Sequence, residues 1–526
     1  MDLRIRSFKQ AAFWSTAINA FSQGLALVFS MVMAAYFGAV EGTDILYYGI
    51  GLIALASLLV QAVNVGVLIP ETMRRRHQVG EVDAMAFINR FFAVFGLLTL
   101  LLTAGLGWKP VEALELVSRF SAEALRRHSS LIGWLVVSFP LQMAAQLLLD
   151  VLVSYRFLTL PAALSCVNRL INVLFILAFH RSLGVAAVAM GMALGFGLQV
   201  LLNLCLLRRV IHWRPLAWRT RVGGAVFRNI AWVELGTAVS VLAIYVPLLL
   251  FSGFAAGAMT VLNYARRMSN MPMELLTSQM SSVASVKFNE QAARRDDGGM
   301  AATFGWLQRQ LVLFLVPLAF LLALAGEPII AILFGRGAFD AAAVSETARL
   351  FSVLMLALPL LAVDAVVARL FIARQEVAFG TRCQIFGSVL SLALLYGFVK
   401  GMGPLGFAVG TVLSRGLYLL VLAKVFPARL APVTLWPTVR SLGATALACG
   451  AVAWAAGQGA ACVLPADAGP WLVGSTLCGL FGLGYGAVLW VLPPDRRGRE
   501  EGRALVQAAV RRLRRGARPA GEGSQP

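Results

Sequence analysis

The sequence predicts an all-α polytopic membrane protein with about 14 transmembrane helices. Three observations carry this expectation: an excess of apolar residues, their grouping into runs long enough to cross a bilayer, and an uneven distribution of Lys and Arg between those runs. Of the 526 residues, 59% are hydrophobic and 13% are charged, and the mean hydropathy is +0.79. Soluble domains carry about 25% charged residues. A soluble core of this size cannot absorb so much apolar side chain, because the surface must still be covered by polar groups. Lipid is therefore the expected solvent for most of the surface.

A spanning helix needs about 20 apolar residues. Fourteen runs meet that need, at roughly 11–37, 45–69, 86–107, 130–153, 159–179, 183–207, 229–252, 256–284, 304–326, 347–372, 378–399, 404–426, 437–457 and 470–492. The first is too long for a signal-peptide core and lacks a small-residue cleavage site, so it counts as a span. The eighth is the most polar, and the repeat described below is what supports it. None of the runs alternates with the period of two that barrel strands require. With the N-terminus placed inside, 32 of the 45 Lys and Arg fall on the inner side, 8 fall outside and 5 lie within spans. This bias is the one that cytoplasmic loops show, and an odd number of spans would spoil it. Both termini are thus expected in the cytoplasm, with the basic tail 494–526 on anionic headgroups or solvated. A net charge of +20 on loops of this kind does not call for nucleic acid as a partner.

The chain also resembles itself. Phe139-Pro140-Leu141 and Leu358-Pro359-Leu360 each open a span, Leu183-Gly184-Val185-Ala186 matches Leu405-Gly406-Phe407-Ala408, and Ile45-Leu46-Tyr47-Tyr48 matches Val261-Leu262-Asn263-Tyr264. The offsets, 219, 222 and 216, cover six helices. Six is even, so the two copies enter the membrane with the same orientation. This predicts an N-terminal lobe over 1–210, a second six-helix lobe over 211–430, an appended helix pair over 431–493, and a substrate site between the lobes. Such an architecture is that of a transporter.

Charges within spans mark the candidate site. Arg266 and Arg267 lie about ten residues into the eighth run, roughly 15 Å along a helix, where arginine is costly unless it faces a cavity or a partner. Arg267, Asn270 and Glu274 share one face at i, i+3 and i+7. A guanidinium can hold two oxygens of a pyrophosphate at once, which a lysine cannot. Pairing of Arg267 with Glu274 or with an acid on another span is the alternative. Asp150 and Arg169 are expected to pair with each other, with substrate contact as the alternative. Glu234 and Asp364 are candidates for a coupling cation or proton, against an interfacial Glu234 and an Asp364–Arg369 pair. Arg74-Arg75-Arg76 reads as a positive-inside anchor or as a first contact for lipid phosphates. The six cysteines are scattered singly, without metal-like spacing. No phosphate loop or HExxH occurs, so no enzyme activity and no cofactor are expected, and energy would come from a Na+ or H+ gradient, the membrane potential or substrate flux.

Several segments resemble the MviN/MurJ-type lipid-linked oligosaccharide flippases, within the superfamily that also holds multidrug and polysaccharide exporters. They are Phe37-Gly38-Ala39 with Asp44, Tyr264-Ala265-Arg266-Arg267 with Pro272, Leu333-Phe334-Gly335-Arg336-Gly337-Ala338-Phe339, Leu358-Pro359, and Ala368-Arg369-Leu370-Phe371. The resemblance covers about residues 10–430. It implies movement of an undecaprenyl-linked sugar, such as lipid II or an envelope-polysaccharide repeat unit, across the bacterial inner membrane, and it adds Asp44 to the substrate site. Peptidoglycan or polysaccharide enzymes would be the protein partners. The sequence departs from the family pattern in its first lobe, where Ser22-Gln23 and Phe29-Ser30 stand at positions that usually include arginine. It departs again in the eighth span, where Arg266 replaces an aspartate and Asn270 a commonly acidic residue. A cation-coupled multidrug exporter and a transport-inactive scaffold for polysaccharide synthesis are the competing readings.

Overall fold

The computed structural model describes residues 8–155, 160–211, 224–465 and 468–491. The basic tail after Pro494 and most of the 208–228 loop lie outside the described residues. Helix α1 (Phe8–Phe37) is followed by α2 (Glu41–Val63), which continues through a π-helical turn (Asn64–Leu68) into α3 (Ile69–Gln78). Then come α4 (Glu81–Trp108), the short α5 (Pro110–Val117) and α6 (Ala122–Arg127), α7 (Ser129–Ser154), α8 (Leu160–Leu183) and α9 (Ala186–Leu206), which ends in a second π turn (Leu207–Ile211). Next are α10 (Gly224–Phe251), α11 (Ala258–Pro272), a third π turn (Met273–Thr277), α12 (Ser278–Ala293), α13 (Asp297–Leu324) and α14 (Gly326–Phe334). The chain closes with α15 (Ala341–Met355), α16 (Leu358–Ala373), α17 (Val377–Met402), α18 (Pro404–Val425), the single turn α19 (Pro427–Leu430), α20 (Trp436–Val463) and α21 (Pro470–Val491).

Among the described residues, twelve helices are long and apolar enough to cross a membrane, and α15 with α16, bent by 42°, makes a thirteenth. The bend falls just before Pro359, which cannot donate to the preceding turn. The expected eighth span is present as one helical run over 258–293. Its Asn and Arg content keeps it out of the apolar count. The repeat is also sharper in the backbone than in the sequence. The left-handed glycine that follows α8 is Gly184, and the one that follows α17 is Gly403 rather than Gly406. Their separation of 219 equals that of Pro140 and Pro359.

The helices cluster into two compact units. One contains residues 1–267, 333–347 and 388–410, and the other 268–332, 348–387 and 411–526. In the first unit α7 packs on α9, α2 and α4, while α1 lies on α8 and α10 on α2. Its apolar core includes Leu68, Phe87, Phe91, Leu148, Leu152 and Leu207. At its edge Arg75 is only 7% exposed. It bonds Glu71 at 2.7 Å and Asp83 at 3.0 Å and lies over the Phe87 ring. The middle residue of the Arg74-Arg75-Arg76 run is therefore an internal ion pair rather than a free anchor. On α4, Leu97, Leu98, Leu100, Leu101 and Leu102 are all exposed, which is the surface lipid requires. In the second unit α13 packs on α20 and α16, α12 on α16 and α13, and α20 on α21.

Candidate functional site

Three of the segments that carry the family resemblance, Phe37-Gly38-Ala39 with Asp44, Tyr264-Ala265-Arg266-Arg267 and Leu333 to Phe339, meet in the first unit. Gly38 and Gly337 both have left-handed backbone, with φ of +65° and +63°. The N–H of Ala338 donates to the carbonyl of Ala35 at 2.9 Å. A Cβ on Gly337 would run into that carbonyl, and one on Gly38 into the carbonyl of Ala338. Tyr264 stacks on Phe334 at 4.9 Å and meets the edge of Phe339 at 5.5 Å. Phe37-Gly38-Ala39, the Gly337-Ala338-Phe339 turn and Tyr264 thus form one tightly closed joint. Only glycine permits both the backbone conformation and the approach.

Asp44 belongs to the same joint. Its carboxylate accepts from the N–H of Gly257 at 2.6 Å, the N–H of Thr260 at 2.8 Å and the hydroxyl of Thr260 at 2.6 Å. It thereby caps the start of α11, where backbone donors have no helical acceptor. At 3% exposure, Asp44 holds two helices together and is not placed as the substrate contact the resemblance implies.

The same unit contains a cavity of about 310 Å³. Its lining comes from α1 (Ala26, Phe29), α2 (Ile50), α7 (Gln142, Ala145, Gln146, Leu149), α8 (Ser165, Asn168, Arg169, Asn172), α9 (Met192, Phe196, Gln199) and Arg267 of α11. Two guanidiniums face it, and no carboxylate is among its described lining residues. The amides form a connected wall: Asn172 donates to Asn168 at 2.9 Å, and Asn168 donates to Gln199 at 3.0 Å. Arg169 Nη1 donates to the carbonyl of Ser22 at 2.5 Å. A guanidinium from α8 therefore bonds the α1 backbone at Ser22, next in sequence to Gln23, where the resembling family carries arginine.

The expected residues are only partly brought together. Arg267 lines the cavity. Its neighbour Arg266, about 100° further around the helix, lies over the Phe407 ring at 5.7 Å. Asn270 and Glu274 are exposed. Glu274 lies within the π turn, where the backbone leaves the helical phase that the i, i+7 reading assumes. Glu234 is half-buried on α10 and does not line the cavity. Two expected pairs are replaced. Asp150 accepts from Asn64 at 2.6 Å and from Gln146 at 3.2 Å instead of Arg169, because α7 turns it toward the π turn that follows α2. In the second unit Asp364 faces Arg415 at 3.4 Å instead of Arg369, which is exposed one turn further along the same helix. The sequence did contain a signal for the cavity. Gln142 and Gln146 on the fourth span, and Ser165, Asn168, Arg169 and Asn172 on the fifth, form polar stripes at helical spacing.

The family model described as lipid II flippase MurJ matches residues 33–476. The chain belongs to the MurJ family. Among curated MurJ proteins, the lipid II flippase of Burkholderia cenocepacia is 26% identical over 321 residues, which is 58% of this chain and 62% of the relative. The matched stretch is thus less than two thirds of that protein. The probable lipid II flippase of Borreliella burgdorferi is 22% identical over 347 residues, 64% of this chain and 67% of its own. In fold, the chain is similar to the inward closed conformation of a lipid II flippase MurJ, with a TM-score of 0.73, 16% identity, and coverage of 91% of this chain and 99% of that one. It is also similar to an inward-facing multidrug MATE transporter, with a TM-score of 0.62, 13% identity, and coverage of 78% and 94%. The MurJ fold is thus common ground with multidrug transporters, and the site has to distinguish them.

Proposed function

We propose that this protein moves an undecaprenyl-pyrophosphate-linked saccharide, lipid II in the first instance, across the bacterial inner membrane by alternating access. The observation that carries this reading is the cavity with Arg169 and Arg267 in its wall, amides around them and no carboxylate among its lining residues. Guanidiniums bind pyrophosphate oxygens in pairs, and side-chain amides suit the hydroxyl and acetamido groups of a sugar. A cationic drug would find no counter-charge here, which disfavours the multidrug reading. A scaffold without transport would have no use for two arginines facing a cavity. The charge bias supports cytoplasmic termini, and with no nucleotide-binding motif in the chain, an ion gradient or the membrane potential would drive the cycle. Asp364 with its Arg415 partner and Glu234 are the titratable groups within spans that such coupling would use. Enzymes that make or use the lipid-linked sugar on either face are the fitting partners.

Binding of the labelled lipid in nanodiscs tests the reading. Charge-assisted hydrogen bonds contribute about 1.5–3 kcal/mol each, so Arg267→Ala should weaken affinity about tenfold or more. Arg267→Lys should recover only part of that loss. Unchanged affinity in a well-folded Arg267→Ala protein would remove the arginine from the substrate site and the reading with it.

A further inference from the structure

The second unit contains a larger cavity of about 840 Å³ between α13 and α20, and nothing in the flippase reading uses it. Two guanidiniums, Arg309 and Arg440, line it together with the hydroxyls of Thr434, Thr438 and Ser441 and the indole of Trp436; no carboxylate is among its lining residues. The Nε of Arg309 is buried and has no hydrogen-bond acceptor among the described residues. Arg440 is exposed at the rim, and Trp436 is 39% exposed.

The two helices run in the same direction. Gly450 stands against Phe320, and Gly457 against Leu324. Counting back along both places Arg309 level with Arg440. From Arg440 to the end of α20 at Val463 is roughly 35 Å at 1.5 Å per residue, slightly more than the ~30 Å hydrocarbon thickness. The groove therefore opens at a membrane face, where Trp side chains concentrate. Its floor is firmly built. Arg374 pairs with Asp297 at 3.0 Å and donates to the carbonyl of Ala431 at 3.4 Å, tying the turn before α20 to the start of α13. Behind it Phe304 stacks on Phe426 at 5.9 Å. Further along α20, Leu447 and Trp454 are 79% and 71% exposed, an apolar track running from the groove toward the opposite face.

We propose that this groove binds the headgroup phosphate of an anionic phospholipid, with its acyl chains lying along α20. Two guanidiniums of no other use, three hydroxyls and an interfacial indole over an apolar track fit a phosphodiester joined to hydrocarbon. A zwitterionic lipid would bring a cation to a site without a carboxylate. The proposal does not depend on what the first-unit cavity transports.

The test is lipid retention by delipidated protein, read by native mass spectrometry and by the shift of its thermal midpoint, with phosphatidylglycerol, phosphatidylcholine and undecaprenyl pyrophosphate as separate probes. The wild type should retain phosphatidylglycerol at least tenfold better than phosphatidylcholine. Arg309→Gln with Arg440→Gln should abolish the preference, and Arg267→Ala should leave it intact. Arg440→Gln alone, a change at an exposed position that the fold tolerates, should lower phosphatidylglycerol retention severalfold and decides the matter if the double variant does not fold. Equal phosphatidylglycerol retention by the wild type and Arg440→Gln would overturn the proposal. So would displacement of phosphatidylglycerol by equimolar undecaprenyl pyrophosphate in Arg267→Ala protein, which would assign the groove to the transported lipid.

Discussion

Replacement of Asp44 separates a structural cap from a substrate contact. The carboxylate satisfies two backbone N–H groups, of Gly257 and Thr260, and the Thr260 hydroxyl, all within 2.8 Å. In Asp44→Ala the hydroxyl still has Thr43 Oγ1 at 2.9 Å, but both N–H groups lose their acceptor in a site from which water is excluded. A buried donor left unsatisfied costs about 1–3 kcal/mol, and losing an N-cap costs typically ~1 kcal/mol. These describe overlapping losses, so the expected destabilisation is about 3 kcal/mol, in the large range for a single change. Asp44→Asn keeps one carbonyl oxygen but turns an NH₂ toward donors, and should fall between the alanine variant and the wild type. Unfolding in one detergent by thermal and denaturant titration, alongside lipid affinity per folded molecule, gives the answer. The order wild type, Asn, Ala should hold for stability, with affinity little changed. An Asp44→Ala protein as stable as the wild type but unable to bind the lipid would refute the cap and return Asp44 to the substrate site.

Two further outcomes are expected. Gly337→Ala should lower the thermal midpoint and folded yield, since the left-handed backbone alone costs a residue with a Cβ about 1–2 kcal/mol and the Ala35 carbonyl occupies the space the methyl needs; wild-type stability would show that the joint can open without cost. In a background lacking the six native cysteines, Ala256→Cys and Ala293→Cys, both at exposed positions, should differ toward an impermeant maleimide on intact cells. The first should react and the second should not, and the reverse would invert the topology drawn from the charge bias.

Membrane residence, the helical class and the family were all legible in the chain, because each depends on quantities that sum along a sequence. Apolar runs of bilayer length, glycine and proline at helix ends, and the motifs around Gly38 and Gly337 need no knowledge of what packs against what. What the polar groups within spans do was not legible. Arg169 and Asp150 are oppositely charged and lie on successive spans, yet one bonds the carbonyl of Ser22 and the other Asn64. Asp44 looks like a ligand-binding acid until Gly257 and Thr260, more than 200 residues away, are set against it.

The sequence by itself determined that this is a helical polytopic membrane protein and which family it belongs to, because burial in lipid acts on each segment separately. Only the tertiary structure decided which charges face a cavity and which are consumed in holding helices together. A guanidinium or carboxylate within a span must find a partner, but which partner depends on the rotation of each helix about its axis. That rotation is set by contacts between residues distant in the chain, such as Gly337 on Ala35, and by π turns that shift the helical phase.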